Sequence, residues 1–490
     1  MTTDLRFLSF LSIVMFIFQA CQGPQKPAML DRAVLEEAFI EFHEHSITKR
    51  RFGYDKIAPL IRNRTKAFQN EILGHSVEGR PVHALTYGEG GVKVLLWSQM
   101  HGNESTATMA LFDLFNFLEG SDNDPFAELR STIRQNLLLR FIPMVNPDGA
   151  ERFQRRNIQH IDLNRDAIRQ SSPEGILLRE AREAFQPEFG FNLHDQNIYY
   201  NAQGTSRPAT ISVLAPAYNE AREINAVRSK AMKLIVGMNR VLQEEVPGHV
   251  GKYNDTFEPR AFGDNFQKWG TSTILIESGG YPDDPEKQYI RKLNFMIILN
   301  ALYEIAVKRY EHFTEEDYFA IPDNDSKLMD LLIRNLSTEA AGYLYQTDIG
   351  IRRSEQYQND TLFARGNVSD WGDLSVYYGY QELDASGMSL VHGKIWDKEM
   401  ALADLTESTA WEMLQQGYMA VRIREQDKGK PYDLPLVLYS GDRARNMSPG
   451  LDNSADFYLE KAGELQYAVV NGFLIDLKNR SSTPLLQRVE

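Results

Sequence analysis

Residues 92–104, VKVLLWSQMHGNE, decide how this chain folds. Val92 to Trp97 is an almost unbroken apolar run with the length and texture of a strand buried on both faces. It ends just before His101-Gly102-Asn103-Glu104. The residues behind it, from about Ser105 to Leu118, bring Met109, Leu111, Phe112, Leu114, Phe115 and Leu118 to one helical face. A buried strand, a polar turn and a helix packing back on the strand make one unit of an α/β sheet.

The unit recurs further along the chain. Leu137 to Val145 (LLLRFIPMV) is a second buried strand, stopped by Asn146-Pro147-Asp148-Gly149, and Phe189 to Leu193 is a third that ends at His194. Ile211 to Leu214 and Thr273 to Ile276 are two more, the latter ending at Glu277. Residues 31–70, 219–245 and 286–310 have helical spacing. The expected fold is α/β, with a mixed, mostly parallel sheet and helices on both faces. Open sheets of this kind bind ligands beyond the carboxyl ends of their strands, and His101, His194 and Glu277 all stand there. From about Tyr343 the texture changes to short strands: Leu374–Tyr378, Met388–Val391, Tyr418–Ile423, Leu436–Tyr439, Asp456–Leu459 and Tyr467–Val470. Turn signals such as Ser386-Gly387 and Asn471-Gly472 lie near their ends. Residues 341–490 read as a smaller, mainly β domain, reached through a linker over 312–340.

A chain of 490 residues is too long for one ordinary core, in keeping with two domains. Hydrophobic residues at 42% and charged residues at 24% are typical of a soluble globular protein. The net charge of −14 weighs against nucleic acid or an anionic membrane surface as a main partner. The single cysteine, Cys21, rules out an intrachain disulfide. It follows Leu5 to Phe18, LRFLSFLSIVMFIF, which is shorter than the ~20 residues of a bilayer span and fits the apolar core of an export signal. Phe18-Gln19-Ala20-Cys21 resembles a bacterial lipoprotein processing site, in which the cysteine becomes the lipidated first residue of the mature chain. The resemblance implies a signal over residues 1–21 and a tether over 22–30. It also implies an exported, membrane-anchored lipoprotein, periplasmic or at the cell surface, held by a lipid on Cys21. An ordinary signal peptide or a short anchor is the alternative.

The pattern H-x-x-E, two potential metal ligands on one turn, occurs three times, at His75–Glu78, His101–Glu104 and His312–Glu315. Only the middle pair follows a buried strand and opens a helix. Around it lie GHSVEGRPV (74–82), NPDGAERFQRRN (146–157), IDLNRD (161–166), FNLHD (191–195) and ILIESGG (274–280). Together and in this order, over residues ~50–300, these motifs resemble the zinc metallocarboxypeptidase family of the carboxypeptidase A type. The resemblance implies one zinc ion held by His101, Glu104 and His194, with Glu277 as the catalytic carboxylate and Arg155 as the oxyanion-stabilising group. Arg156 is the near competitor of Arg155. Asn164 and Arg165 correspond to the pair that grips a substrate's terminal carboxylate, and Asp162 to an acid that orients the first histidine. Tyr253 is the candidate for the family's mobile substrate-binding tyrosine, although its spacing to Glu277 is slightly long. The side chain that sets specificity is expected near Phe262-Gly263. Asp166 stands where the family has a second asparagine, and is expected to add negative charge beside the substrate's carboxylate.

These roles are chemically coherent. Such a hydrolase needs three protein ligands and an open position for water, a carboxylate to move a proton, and a cation for the oxyanion. Each residue also has a structural reading: His194 as a satisfied strand-end histidine, Glu277 as a helix cap, the arginines as a solvated face. The leading expectation is a carboxypeptidase domain over residues 31–311 that removes C-terminal residues from peptides. The alternatives are a murein-peptide amidase or endopeptidase of the same family, and an inactive binding lipoprotein on this fold. GDLSVYYGYQELDASGMSLVHGKI and SADFYLEKAGELQYAVVNGFLID in the C-terminal part resemble the small β domain that flanks the barrel of amidohydrolases, which implies a non-catalytic accessory role.

Overall fold

A computed structural model describes residues 27–64, 67–358, 361–442, 447–480 and 487–490. The expected signal, Cys21 and the first part of the tether lie outside the described residues. Among the described residues no helix is long and apolar enough to cross a membrane.

In chain order the first strands are β1 (Gln69–His75), β2 (Pro81–Gly88), β3 (Val92–Ser98), β4 (Leu137–Ile142), β5 (Phe189–Asp195), β6 (Asn201–Ala202), β7 (Ile211–Leu214), β8 (Val250–Lys252) and β9 (Ser272–Ser278). All but β6 join one sheet, in spatial order β1-β2-β4-β3-β5-β9-β7-β8. The central strands β4, β3, β5 and β9 run parallel. The β1–β2, β2–β4 and β9–β7 pairs are antiparallel.

The helices of this region are α1 (Arg32–Phe42), α2 (Tyr54–Arg62), α3 (Thr106–Leu118), α4 (Ala127–Asn136), α5 (Pro147–Glu151), α6 (Pro173–Phe185), α7 (Ala226–Glu245), α8 (Phe262–Lys268) and α9 (Gln288–Ala306). Alternate residues of β3 point to opposite faces. Val94 and Leu96 pack with α1, α3, α7 and α9, whereas Leu95 and Trp97 pack with Leu178 of α6 and Phe262 and Phe266 of α8. Burying each such side chain stabilises the domain by about 1.5–3 kcal/mol, which is why the parallel strands read as continuous apolar runs. Two stop signals act as helix caps: Asn146 Oδ1 accepts from Gly149 N (2.8 Å) and Ser172 Oγ from Gly175 N (3.1 Å), each with a proline at the first helical turn.

The helical expectation for residues 31–70 is corrected: α1 and α2 are separate, and β1 already begins at Gln69. The segment between them is anchored from α9. Arg291 of α9 is fully buried against Asp113 (2.5 Å) and donates to the carbonyls of Glu44 (3.0 Å) and Ile47 (2.5 Å). The Glu44 carbonyl also accepts from Ile47 N (3.3 Å), so the turn between the two helices is held to α9.

The expected linker over 312–340 is also corrected. It holds a short helix, α10 (Glu315–Phe319), then β10 (Asn324–Asp325), which pairs with β6, and then a 13-residue strand, β11 (Leu328–Ala340). Leu331, Ile333 and Leu336 of β11 lie in the core of the second region. There β11 continues into a long hairpin, β12 (Tyr343–Gln358) and β13 (Thr361–Gly372), and β14 (Tyr378–Asp384) runs parallel to it. Leu374–Tyr378 is not a strand: Asp373 Oδ1 accepts from Ser375 N (3.0 Å), a local turn, and extended structure resumes at Tyr378. The region is also less purely β than expected. After β15 (Ser389–Val391), the strands β16 (Lys394–Met400), β17 (Tyr418–Ile423) and Val437–Tyr439 form a small parallel sheet covered by a helix over Glu407–Gln415.

Candidate active site

The carboxyl ends of β3, β5 and β9 converge. His101 and Glu104 come from the turn after β3, His194 from the end of β5, and Glu277 from the end of β9, directly opposite His194 in the parallel register. All four are buried. The turn after β3 sits tightly on α5: a Cβ on Gly102 would lie 2.0 Å from the backbone carbon of Gly149.

Two imidazoles and one carboxylate face one another. His101 Nδ1 lies 2.8 Å from Glu104 Oε1, His194 Nδ1 lies 2.7 Å from Glu104 Oε2, and the two Nδ1 atoms are 3.2 Å apart. Asp162 Oδ1 stands 3.0 Å from His101 Nε2. A proton on that nitrogen leaves the Nδ1 lone pair directed into the cluster. His194 Nε2 has no hydrogen-bond partner. With His194 in the same tautomer, two lone-pair nitrogens and a carboxylate this close would repel one another unless a cation lay among them. Two histidines and a glutamate, with ligand atoms all within 4.8 Å, are the donor set of a hydrolytic zinc site with a position left open. The residues therefore fit a zinc ion.

The electrostatics are polarised. Burial works to raise the Glu104 pKa, but His101 and His194 outweigh it and hold the carboxyl well below the usual range. Glu277 is pushed well above its usual value, first by burial and then by the Glu104 and Asp195 carboxylates, with Arg155 and Lys287 opposing. A divalent cation at the cluster acts in the same sense as those two cations. Burial also works to raise the Asp162 pKa, yet His101, Arg155 and Arg165 hold it low.

Arg155 reaches this centre. Its Nε donates to Asp162 Oδ2 (3.1 Å) and its Nη1 to Glu104 Oε1 (3.1 Å), with the side chain 44% exposed and so open to a ligand. Arg156 does not: its Nη1 donates to the carbonyl of His160 (2.9 Å) within its own exposed loop. Asn164 Oδ1 accepts from Phe262 N (2.9 Å), which links the Asn164-Arg165 turn to α8, and Arg165 pairs with Glu258 (3.1 Å). Tyr253 packs its ring 6.0 Å from that of Tyr200, and its hydroxyl pKa is raised by burial and by the field of Glu277. Asp166 departs from expectation. It is buried, and its carboxylate accepts from Ser171 N (2.8 Å), Ser172 N (2.8 Å) and Ser172 Oγ (2.7 Å), so its charge holds a loop and α6 rather than facing a substrate.

Sequence reasoning missed a second tier. Asp195 N donates to Glu104 Oε2 (3.2 Å), and Asp195 Oδ2 accepts from Thr106 Oγ1 (2.6 Å) and Lys287 Nζ (3.0 Å). Lys287 Nζ also donates to the carbonyl of Ser278 (3.0 Å), so one buried ammonium ties the ends of β5 and β9 together. Asp195 had a signal, its place next to His194; Lys287, in a polar loop before α9, had none.

Residues 60–228 match the model of the zinc carboxypeptidase family. This segment contains every candidate ligand; Glu277 and Tyr253 lie beyond it. Among curated relatives, an uncharacterized protein of Zymomonas mobilis is 32% identical over 130 residues, covering 25% of this chain and 33% of that protein. Human carboxypeptidase D is 25% identical over 185 residues, covering 33% of this chain and 13% of that protein. The matched stretch thus spans a third or less of either relative. A metallo-carboxypeptidase of Burkholderia cenocepacia superposes with a TM-score of 0.41 at 19% identity, covering 52% of this chain and 69% of that one. A metallo-carboxypeptidase of Pseudomonas aeruginosa, solved with (2-guanidinoethylmercapto)succinic acid, gives 0.38 at 17% identity, covering 53% and 70%.

Proposed function

We propose that the α/β domain is an active zinc carboxypeptidase that removes C-terminal residues from peptides. The observation that carries the reading is the convergence of His101 Nδ1, His194 Nδ1 and Glu104 with Glu277, one register position across the sheet, and Arg155 above them. His101, Glu104 and His194 would hold a zinc ion, which would supply a water of lowered pKa and polarise the scissile carbonyl. Glu277, whose surroundings raise its proton affinity, takes the proton of the attacking water and passes it to the leaving amine. Arg155 keeps its Nε on Asp162 and turns Nη1 from Glu104 to the developing oxyanion. Arg165 exchanges Glu258 for the substrate's terminal carboxylate, a group its planar fork binds in two places. Asn164 holds that turn to α8.

A murein-peptide amidase of the same family is the alternative; Asp166 gives it no support, because its carboxylate is engaged by Ser171 and Ser172. We further propose that residues 1–21 are a lipoprotein signal and that Cys21 anchors the protein to a membrane outside the cytoplasm; Cys21→Ser is expected to release it, and a variant still uncleaved and membrane-bound would count against this.

The test of the activity is a panel of peptides with free C-termini, their C-terminal amides and murein peptides, incubated with zinc-loaded protein and read by mass spectrometry. Stepwise loss of single C-terminal residues from the free acids alone supports the proposal. Cleavage of murein peptides alone would transfer it to the amidase alternative. No cleavage by folded, zinc-loaded protein would leave the binding-protein reading.

A further inference from the structure

The β-rich region is not an appendage hung from the far side of the catalytic domain. It grips the loops that leave the active-site strands. The Tyr199 hydroxyl, in the loop after His194, donates to Asp330 of β11 and accepts from Arg353 N of β12 (3.0 Å), and the Arg352 guanidinium lies 4.6 Å over its ring. Tyr380 of β14 donates to the carbonyl of Ile198 (2.6 Å), and its hydroxyl would clash with a Cβ on Gly280, three residues past Glu277. The β12–β13 hairpin makes a third contact. Tyr357 packs edge-on against Phe153 (4.8 Å between ring centroids), with the Arg51 guanidinium 4.6 Å over the Tyr357 ring, and Glu355 pairs with Arg50.

That third contact lies at the mouth of the candidate site. Phe153 is two residues before Arg155. The carbonyl of Arg50 accepts from Ser105 Oγ, next to Glu104, and the Arg50 guanidinium feels the charge of Asp195, next to His194. Phe153 and Tyr357 are only half-buried, so part of each ring lies within reach of a ligand. The position relative to the metal centre is informative. Asn164 and Arg165 stand on the α6/α8 side of the sheet, beside Phe262. Arg50 and Arg51 stand on the opposite, α3/α9 side, between Ile47 and Phe52 of that core. A peptide whose terminal carboxylate is held at Arg165 and whose last bond lies at the metal centre therefore runs toward Phe153 and Tyr357.

We propose that Tyr357 of the β-rich region, with Phe153 and Arg51, forms the binding surface for the substrate segment that precedes the scissile bond. The occupant is the chain of a peptide at least three residues long. The aromatic rings and the stacked guanidinium favour an apolar or aromatic side chain there, and Glu355 and Glu286 beside Arg50 and Arg51 leave little net charge to select by sign. This rests on the carboxypeptidase reading, since that reading supplies the direction in which the peptide lies.

The test uses binding as well as turnover. Full-length, zinc-loaded protein carrying Glu277→Gln is titrated by calorimetry with N-terminally blocked di-, tri- and tetrapeptides bearing a free C-terminus. Affinity is expected to rise from dipeptide to tetrapeptide. Adding Tyr357→Ala is expected to weaken the tetrapeptide about tenfold, the loss of one aromatic contact, while leaving the blocked dipeptide unchanged. Tyr357→Phe should restore the length dependence. Phe153→Leu, on the catalytic side of the contact, gives an independent reading if Tyr357→Ala folds poorly. Affinity independent of length, equal weakening of short and long peptides, or no peptide binding at all would overturn the inference. If the length dependence holds but the wild type releases no C-terminal residue, the proposed activity fails and the binding surface stands.

Discussion

Replacing Lys287 by methionine tests whether the ends of β5 and β9 are held together by one buried ion pair. The Lys287 side chain is 6% exposed and that of Asp195 is 8% exposed, with Nζ and Oδ2 3.0 Å apart and the Ser278 carbonyl a further acceptor at 3.0 Å. Methionine keeps the stem of the side chain and removes the ammonium. It leaves a buried carboxylate next to His194 and within the field felt by Glu277. Breaking a buried pair from one side costs about 3–5 kcal/mol. Removing both charges, as in Asp195→Asn with Lys287→Met, is expected to recover about 2 kcal/mol or more of that loss. The measurement is hydrogen exchange of the β5 and β9 amides in a urea series, which isolates this sheet from the β-rich region. If Lys287→Met shifts protection by less than about 1 kcal/mol, or if the two single losses simply add, the strand ends are not held in this way.

Three further outcomes follow from other parts of the structure. Glu304 is buried in α9 against Gly237 of α7, and burial pushes its pKa up to about 7 while Arg309, the Asn300 amide and Arg240 oppose. Between about pH 4.5 and pH 7 the folded chain keeps a proton that the unfolded chain has lost, so stability falls as pH rises through that window. Glu304→Gln should raise stability at pH 8 by about 3 kcal/mol and change little at pH 4; equal effects at both values in chemical denaturation would contradict this. Asp162→Asn should lower zinc affinity by about 10–100-fold in a chelator competition, because His101 Nε2 exchanges a charged carboxylate acceptor for a weaker neutral amide oxygen; unchanged affinity would remove Asp162 from that role. Gly102→Ala forces a Cβ against the backbone of Gly149 and Ala150 and should cost about 1–3 kcal/mol in thermal unfolding; a neutral substitution would mean that the metal-site turn can move off α5.

Much of the site is legible in the sequence because its groups end apolar strands. His194 and Glu277 each follow a buried run, and the parallel register then sets them side by side. What stays hidden depends on pairings between distant positions. Nothing local marks Lys287 as the partner of Asp195, 92 residues earlier. Asp166 reads as a charge near the substrate until its three hydrogen bonds to Ser171 and Ser172 are seen. The long hairpin of β12 and β13 escapes a search for alternating burial because stretches such as Arg352–Gln356 are polar and face solvent or the catalytic domain rather than a core. The segment between α1 and α2 is likewise held by Arg291, which reaches the carbonyls of Glu44 and Ile47 from α9.

The central claim, that His101, Glu104 and His194 hold the metal that drives hydrolysis, is tested most directly by titrating chelator-treated protein with zinc while following bound metal and release of C-terminal residues together. The account predicts that activity rises in proportion to occupancy and saturates at one zinc per chain. His194→Ala should lose both signals, and Glu277→Gln should bind one zinc without turnover. Activity that persists in metal-free protein, or a His194→Ala variant that binds zinc and cleaves peptides like the wild type, would contradict it.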